Sequence, residues 1–254
     1  MKIVFNTKSL QIAHQQDKYF LHETLKRLIN KYPEHEFTIM TDQADTNFYQ
    51  VGKNVTAIIT RQPLRHTLLR KLWFDFRLPA ILKKCKADVF VSADIFCSLE
   101  TPLPQCLLLH DVTFLYDPNG FKKSTLFFYK RYFPKFLHKA TTIATGSAYL
   151  KKDLFIRYKI AEEKIDVVTP AAREVFLPVD ESVKEETKRE YCEGKSYFIY
   201  NQAVHSKKSL VTLLKAFSIF KKRQKSNWKL VVAGSIENDS RSFTESLKAY
   251  KYRD

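Results

Sequence analysis

Several polar residues have the type and placement to do chemistry. His110-Asp111 directly follows the apolar run Leu107–Leu109, Asp94 comes just after Asp88–Val91, and Ser147 just after Thr141–Thr145. An imidazole at a strand end exchanges a proton near neutral pH, while Asp111 beside it is not read as a general base. His205, Lys207 and Lys208 stand just ahead of an apolar-periodic stretch that begins at Leu210. A lysine pair at a helix start adds full positive charge to N–H groups that already favour an anion, so phosphate is the ligand class it suits. His205 either joins that phosphate or sits on the surface. Each residue also has a plainer reading. His110 can be a hydrogen-bonded structural histidine, Asp111 a turn or helix cap, Asp94 an ordinary loop carboxylate and Ser147 a helix N-cap, which is the favoured reading for that serine. The lysine pair can be merely solvated.

These residues need elements to position them. Lys2–Asn6 reads as a strand, and Lys18–Lys31 carries Phe20, Leu21, Leu25, Leu28 and Ile29 at helical spacing. Glu36–Met40, Thr56–Ile59, Asp88–Val91, Leu107–Leu109, Thr141–Thr145 and Ile165–Val168 are further strand candidates, with helical periods over Leu64–Leu82, Ser124–Leu137 and Tyr149–Tyr158. Strands alternating with helices predict a parallel sheet covered on both faces, which binds ligands at the carboxyl ends of its strands where the strand order reverses. Pro178–Gly194 is polar and charge-mixed and reads as a linker with a short helix, VKEETKREY. The alternation then restarts with a strand at Tyr197–Tyr200, a helix at Leu210–Lys222, a strand at Leu230–Ala233 and a helix at Phe243–Tyr252. The expected domains are 1–177, a linker over 178–195, and an incomplete second α/β domain over 196–254.

Composition narrows the class. The 254 residues contain 44% hydrophobic and 28% charged residues, with a formal net charge of +16. No run of eighteen apolar residues is present, and Met1-Lys2-Ile3-Val4-Phe5-Asn6 turns polar too soon for a signal peptide. Cys85, Cys97, Cys106 and Cys192 lack the close pairing of zinc or redox motifs, so they read as small core residues in a reducing compartment. The positive charge attracts phosphates on a nucleotide, a lipid or a nucleic acid. No helix-turn-helix, zinc or RNA-recognition signature accompanies it, which ranks nucleic acid low as a partner.

Two basic, aromatic stretches stand out. LRHTLLRKLWFDFRLP places Leu68, Leu72, Trp73 and Phe76 on one side, with Arg65, Arg70, Lys71 and Arg77 opposite, and FKKSTLFFYKRYFPKFLHK repeats the combination. The expectation is that the apolar stripes pack on the sheet and the basic residues are solvated. A basic rim of this kind still attracts an anionic membrane or acceptor.

KKDLFIRYKIAEEKIDVVTPAAREVFLP and YFIYNQAVHSKKSLVTLLKAF, in that order, resemble the segments by which family 4 glycosyltransferases leave one domain and open the next. LLLHDVTFLY and LVVAGS extend the resemblance over essentially the whole chain. It implies a GT-B fold: an N-terminal Rossmann-like acceptor domain and a C-terminal donor domain, here incomplete. It also implies transfer of a hexose from a UDP- or GDP-sugar to a glycan or lipid-linked acceptor, with retention and without metal or cofactor. By the same resemblance His110 lies near the reacting sugar, Lys207 and Lys208 grip the donor diphosphate, and the enzyme is cytoplasmic, peripheral to the inner face of the membrane, and serves surface polysaccharide or lipopolysaccharide assembly.

The chain departs from the family pattern in places. Ile12-Ala13-His14-Gln15-Gln16 replaces a glycine pair, Gln202 replaces the donor-loop glycine, and Lys207 stands where arginine is usual. A Cβ hinders close backbone approach, and lysine lacks the bidentate fork of arginine. The family's pair of donor-binding glutamates is expected beyond Asp254. These departures leave a second expectation, a truncated relative that binds glycan or lipid without catalysis.

Overall fold

The computed structural model describes residues 1–7, 15–41, 52–63, 66–109, 112–172, 175–201, 208–234, 247 and 250. The chain divides into two compact units, Met1–Arg173 and Glu174–Asp254.

The first unit is built on seven parallel strands: β1 (Lys2–Asn6), β2 (Glu36–Thr41), β3 (Val55–Ile59), β4 (Val89–Ser92), β5 (Gln105–Leu109), β6 (Thr142–Thr145) and β7 (Ile165–Val167). Their order across the sheet is β3-β2-β1-β4-β5-β6-β7. The sheet grows outward from β1 in one direction and from β4 in the other, so the strand order reverses between these two. Side chains alternate across it. Ile3 and Phe5 face α1 (Gln15–Lys31), whose Leu21, Leu25 and Ile29 pack on them. Val4, Phe90, Leu107, Leu109 and Ile143 face the opposite layer, made by α2 (Thr67–Leu72), α3 (Leu78–Lys84), α4 (Lys123–Lys139) and α5 (Ala148–Tyr158). Phe96 is the hub of that layer: its ring lies 5.6 Å from Phe74, 5.7 Å from Phe128 and 5.3 Å from Phe136.

The stretch expected as one helix over Leu64–Leu82 is described from His66 on and is not uniform. Trp73–Arg77 forms a π-turn between α2 and α3, with the Leu78 N–H bonded to the Trp73 carbonyl. The wide turn stretches the repeat from 3.6 to four residues over this run, so Arg70, Phe74, Leu78 and Leu82 all stay on the sheet side and are buried. This corrects the expected facing. Leu68, Leu72 and Phe76 are exposed rather than packed on the sheet, whereas Trp73 is buried as expected. Arg70, expected on the solvated side, is inside.

The second unit contains α6 (Glu181–Cys192), β8 (Tyr197–Asn201), α7 (Lys208–Gln224) and β9 (Lys229–Ala233), with β8 and β9 parallel. α6 occupies the region expected as a linker. It ends at Glu193 and Gly194, both in the left-handed region at φ 53° and 73°, where the Gly194 N–H returns to the Lys188 carbonyl. Leu210 and Leu214 of α7 pack against Tyr200, Leu230 and Val232, joined by Leu247 and Tyr250. Those last two are the described residues nearest the fourth element expected over Phe243–Tyr252; the rest of that stretch, apart from these two, lies outside the described residues.

Candidate functional site

The topological switch point is where a doubly wound parallel sheet offers a crevice. In this chain the carboxyl ends of β1 and β4 carry a buried polar set. Asn6 and Ser92 are register partners on the two adjacent strands and stand on the same face as Val4 and Phe90. Asn6 Oδ1 accepts a hydrogen bond from Gln62 Nε2 at 2.7 Å, and Thr7 Oγ1 donates to the Met40 carbonyl at 3.1 Å.

Asp94 follows Ser92 off the end of β4. It is buried and ion-paired with Arg70 of α2, and its Oδ1 accepts the Ile95 N–H at 2.7 Å. Burial pushes the Asp94 carboxyl above the usual carboxylate range, against the opposing pull of the Arg70 guanidinium. The guanidinium lies 4.8 Å over the Phe96 ring, so it is held by a charge on one side and a π-face on another. Three atoms of this set, Asn6 Nδ2, Ser92 Oγ and Arg70 Nε, are buried without a hydrogen-bond partner. Buried polar atoms are nearly always satisfied, so three unmet ones at one switch point mark a place with hydrogen-bonding capacity in reserve.

The loop after Asp94 is pinned from two sides. Asp75, within the π-turn, accepts the Leu99 N–H at 2.8 Å, and Gln105 both accepts from Ser98 N at 2.9 Å and donates to the Ser98 carbonyl at 2.7 Å. The π-turn thus aims Asp75 at the loop while Arg70, on the same run, holds Asp94.

Of the residues singled out in the sequence, Asp94 falls in this set and Ser147 does not. Ser147 is the N-cap of α5, its Oγ accepting the Leu150 N–H at 3.2 Å. His110 and Asp111 directly follow β5 and lie outside the described residues, as do His205 and Lys207. Lys208 opens α7, and its side chain is not described. Sequence reading passed over Asn6, Gln62 and Ser92, and placed Arg70 on the solvated side rather than in a site. For Asn6 and Ser92 a signal was available, a polar residue closing an otherwise apolar strand. Arg70 and Gln62 gave none. Among the described residues no group of three or more His, Cys, Asp or Glu comes together to hold a metal ion.

A model of Glycosyltransferase Family 4 matches residues 19–172, more than half of the chain. No curated protein matches it. A solved glycosyltransferase from Rickettsia africae ESF-5 is 16% identical with a TM-score of 0.66, covering 100% of this chain and 66% of that one. The apo form of the lipopolysaccharide outer core galactosyltransferase WaaB is 13% identical with a TM-score of 0.62, covering 100% of this chain and 66% of its own. Anabaena Alr3699/HepE in complex with UDP is 13% identical with a TM-score of 0.66, covering 98% of this chain and 65% of that one. The chain therefore spans just under two thirds of the length of these structures.

Proposed function

The chain belongs to glycosyltransferase family 4, with the α/β, GT-B-type fold expected from its sequence, and from that premise we propose that it moves a hexose from a UDP- or GDP-sugar to a glycan or lipid-linked acceptor. The observation that carries this reading is the buried polar set at the switch point of a parallel sheet in a chain of this family. Asn6, Ser92 and Arg70 offer hydrogen-bonding atoms suited to acceptor hydroxyls, and the Arg70–Asp94 pair fixes the geometry around them. The first unit is assigned the acceptor and the second the donor. HepE holds UDP, which favours a uridine nucleotide.

The chemistry follows from charge. As the bond from sugar to diphosphate breaks, negative charge builds on the leaving phosphate, and fixed cations lower that barrier more than they stabilise the ground state. Lys207 and Lys208, consecutive in sequence, are assigned as those cations, with His205 two positions before Lys207 assigned to the same diphosphate and His110 to the reacting sugar. No metal or cofactor enters this scheme, the anomeric configuration is retained, and the acceptor belongs to surface polysaccharide or lipopolysaccharide assembly at the inner face of the membrane.

Calorimetric titration with UDP, GDP and their sugar conjugates tests this. Saturable binding of one nucleotide class, weakened at least about tenfold in Lys207→Ala/Lys208→Ala, is expected for a phosphate contact made by two lysines. Absence of binding from the folded chain removes the donor assignment and leaves a non-catalytic glycan- or lipid-binding protein.

A further inference from the structure

We propose that Tyr116 and Tyr149 form a stacking platform for one sugar ring of a glycan, a subsite beyond the switch point, with Asp153 and Arg157 serving the hydroxyls of that ring. The first observation is an exposed aromatic pair. The two rings lie 6.2 Å apart at 39°, and Tyr149 and Tyr116 are 70% and 44% exposed. Tyr116 follows the short helical turn Thr113–Leu115 beyond β5, and Tyr149 stands in the first turn of α5 just beyond β6. The platform therefore sits on the same carboxyl edge of the sheet as the switch point, and two strand spacings, about 10 Å, separate β6 from β4. Both rings are carried on fixed backbone. Phe114 is buried with its ring 4.7 Å from Tyr129 and 5.1 Å from Phe133, and Ser147 caps α5 through the Leu150 N–H.

The second observation is the set of polar groups beside the rings. Tyr149, Asp153 and Arg157 are spaced four residues apart and share one face of α5. Asp153 accepts the Tyr116 O–H at 2.7 Å and the Arg157 Nε–H at 2.6 Å, and the Arg157 guanidinium lies 5.5 Å over the Tyr116 ring. With its proton committed to Asp153, the Tyr116 oxygen is left to accept. The Arg157 Nη groups make no hydrogen bond among the described residues, so they are left to donate.

A pyranose answers both halves of this surface. One face of the sugar is a set of C–H bonds that packs on an aromatic ring, and its rim is a set of hydroxyls that donate and accept. An acyl chain would leave Arg157 and the Tyr116 oxygen unanswered. A nucleobase is flat and stacks on only one of two rings tilted by 39°. A phosphate gains little, because Asp153 already answers the Arg157 charge. The proposal rests on the reading that the first unit takes the acceptor, and it makes that acceptor a glycan of more than one sugar.

Saturation-transfer difference NMR of the whole chain is the test, with maltose, cellobiose, lactose and mannobiose as probes beside methyl glucoside and octyl glucoside. At least one disaccharide should bind, with transfer strongest at ring C–H protons. Tyr149→Ala should weaken that binding by about fivefold, whereas Tyr149→Phe, which keeps the ring, should bind as the wild type does. Tyr149 is exposed, so the unfolding midpoint of Tyr149→Ala should not move. Absence of binding by every disaccharide, or equal binding by Tyr149→Ala, overturns the proposal. So does Tyr149-dependent binding of octyl glucoside without binding of methyl glucoside or any disaccharide, which would assign the rings to an acyl chain. UDP titration reads the donor assignment separately. Tyr149-dependent disaccharide binding by a chain that does not bind UDP keeps the platform and removes the transferase reading.

Discussion

Arg70 and Asp94 form a buried ion pair that ties the helical layer to the end of β4, with the guanidinium stacked over Phe96 and the carboxylate capped by the Ile95 N–H. Both residues belong to the switch point's polar set, so the pair bears on both stability and shape.

Removing one member leaves the other charge buried and uncompensated. Asp94→Ala is expected to lose about 3–5 kcal/mol of unfolding free energy. Arg70→Met/Asp94→Leu, which removes both charges, should be more stable than Asp94→Ala despite carrying two changes. Urea unfolding of the variants decides it; a double variant no better than the single would mean that the pair is not acting as a coupled unit.

The cysteines make a second case. All four are free, with Cys97 and Cys192 buried. Burial, reinforced by the negative charge of Asp75, pushes the Cys97 thiol up to about 12, and burial with Asp166 takes Cys106 to about 11. The thiolate is the nucleophile, so neither should be alkylated by iodoacetamide at neutral pH until the chain is unfolded. Mass spectrometry of the native and urea-unfolded chain reads this directly, and native-state labelling of Cys97 at the unfolded rate would contradict the packing around Phe136, whose carbonyl accepts its Sγ at 3.5 Å.

The second unit carries a pH-dependent contact. Glu193, in the left-handed turn after α6, accepts from Lys195 at 2.5 Å and from Lys229 of β9 at 2.7 Å, and these bonds hold its pKa down at about 2 from an ordinary 4.5. A depressed carboxylate stabilises the fold above its unfolded pKa and loses that contribution as pH falls through the folded one. The stability difference between the wild type and Glu193→Gln should therefore be full above pH 4.5 and vanish towards pH 2. The group is exposed, so the effect is small; thermal midpoints that differ by the same amount at both ends would count against it.

Much of the architecture was legible in the order of residues. Alternating strand and helix periods follow from local propensity and side-chain geometry, and each strand candidate of the first unit is a strand, within a residue or two at its ends. Asp94 was legible as a residue just past a strand. The sequence determined these because they depend on neighbours a few positions apart. It could not determine that β1 lies beside β4, since Ile3 and Val89 meet only through the sheet. Without that adjacency Asn6 and Ser92 are two unrelated strand ends. Nor could it choose the buried face of residues 67–84, where Leu68, Leu69, Leu72, Trp73, Phe74 and Phe76 supply apolar groups around most of the helix. Tertiary structure made that choice. Asp94 and Phe96 drew Arg70 inward, the π-turn held Phe74 and Leu78 on the same side, and Leu68, Leu72 and Phe76 were left facing out.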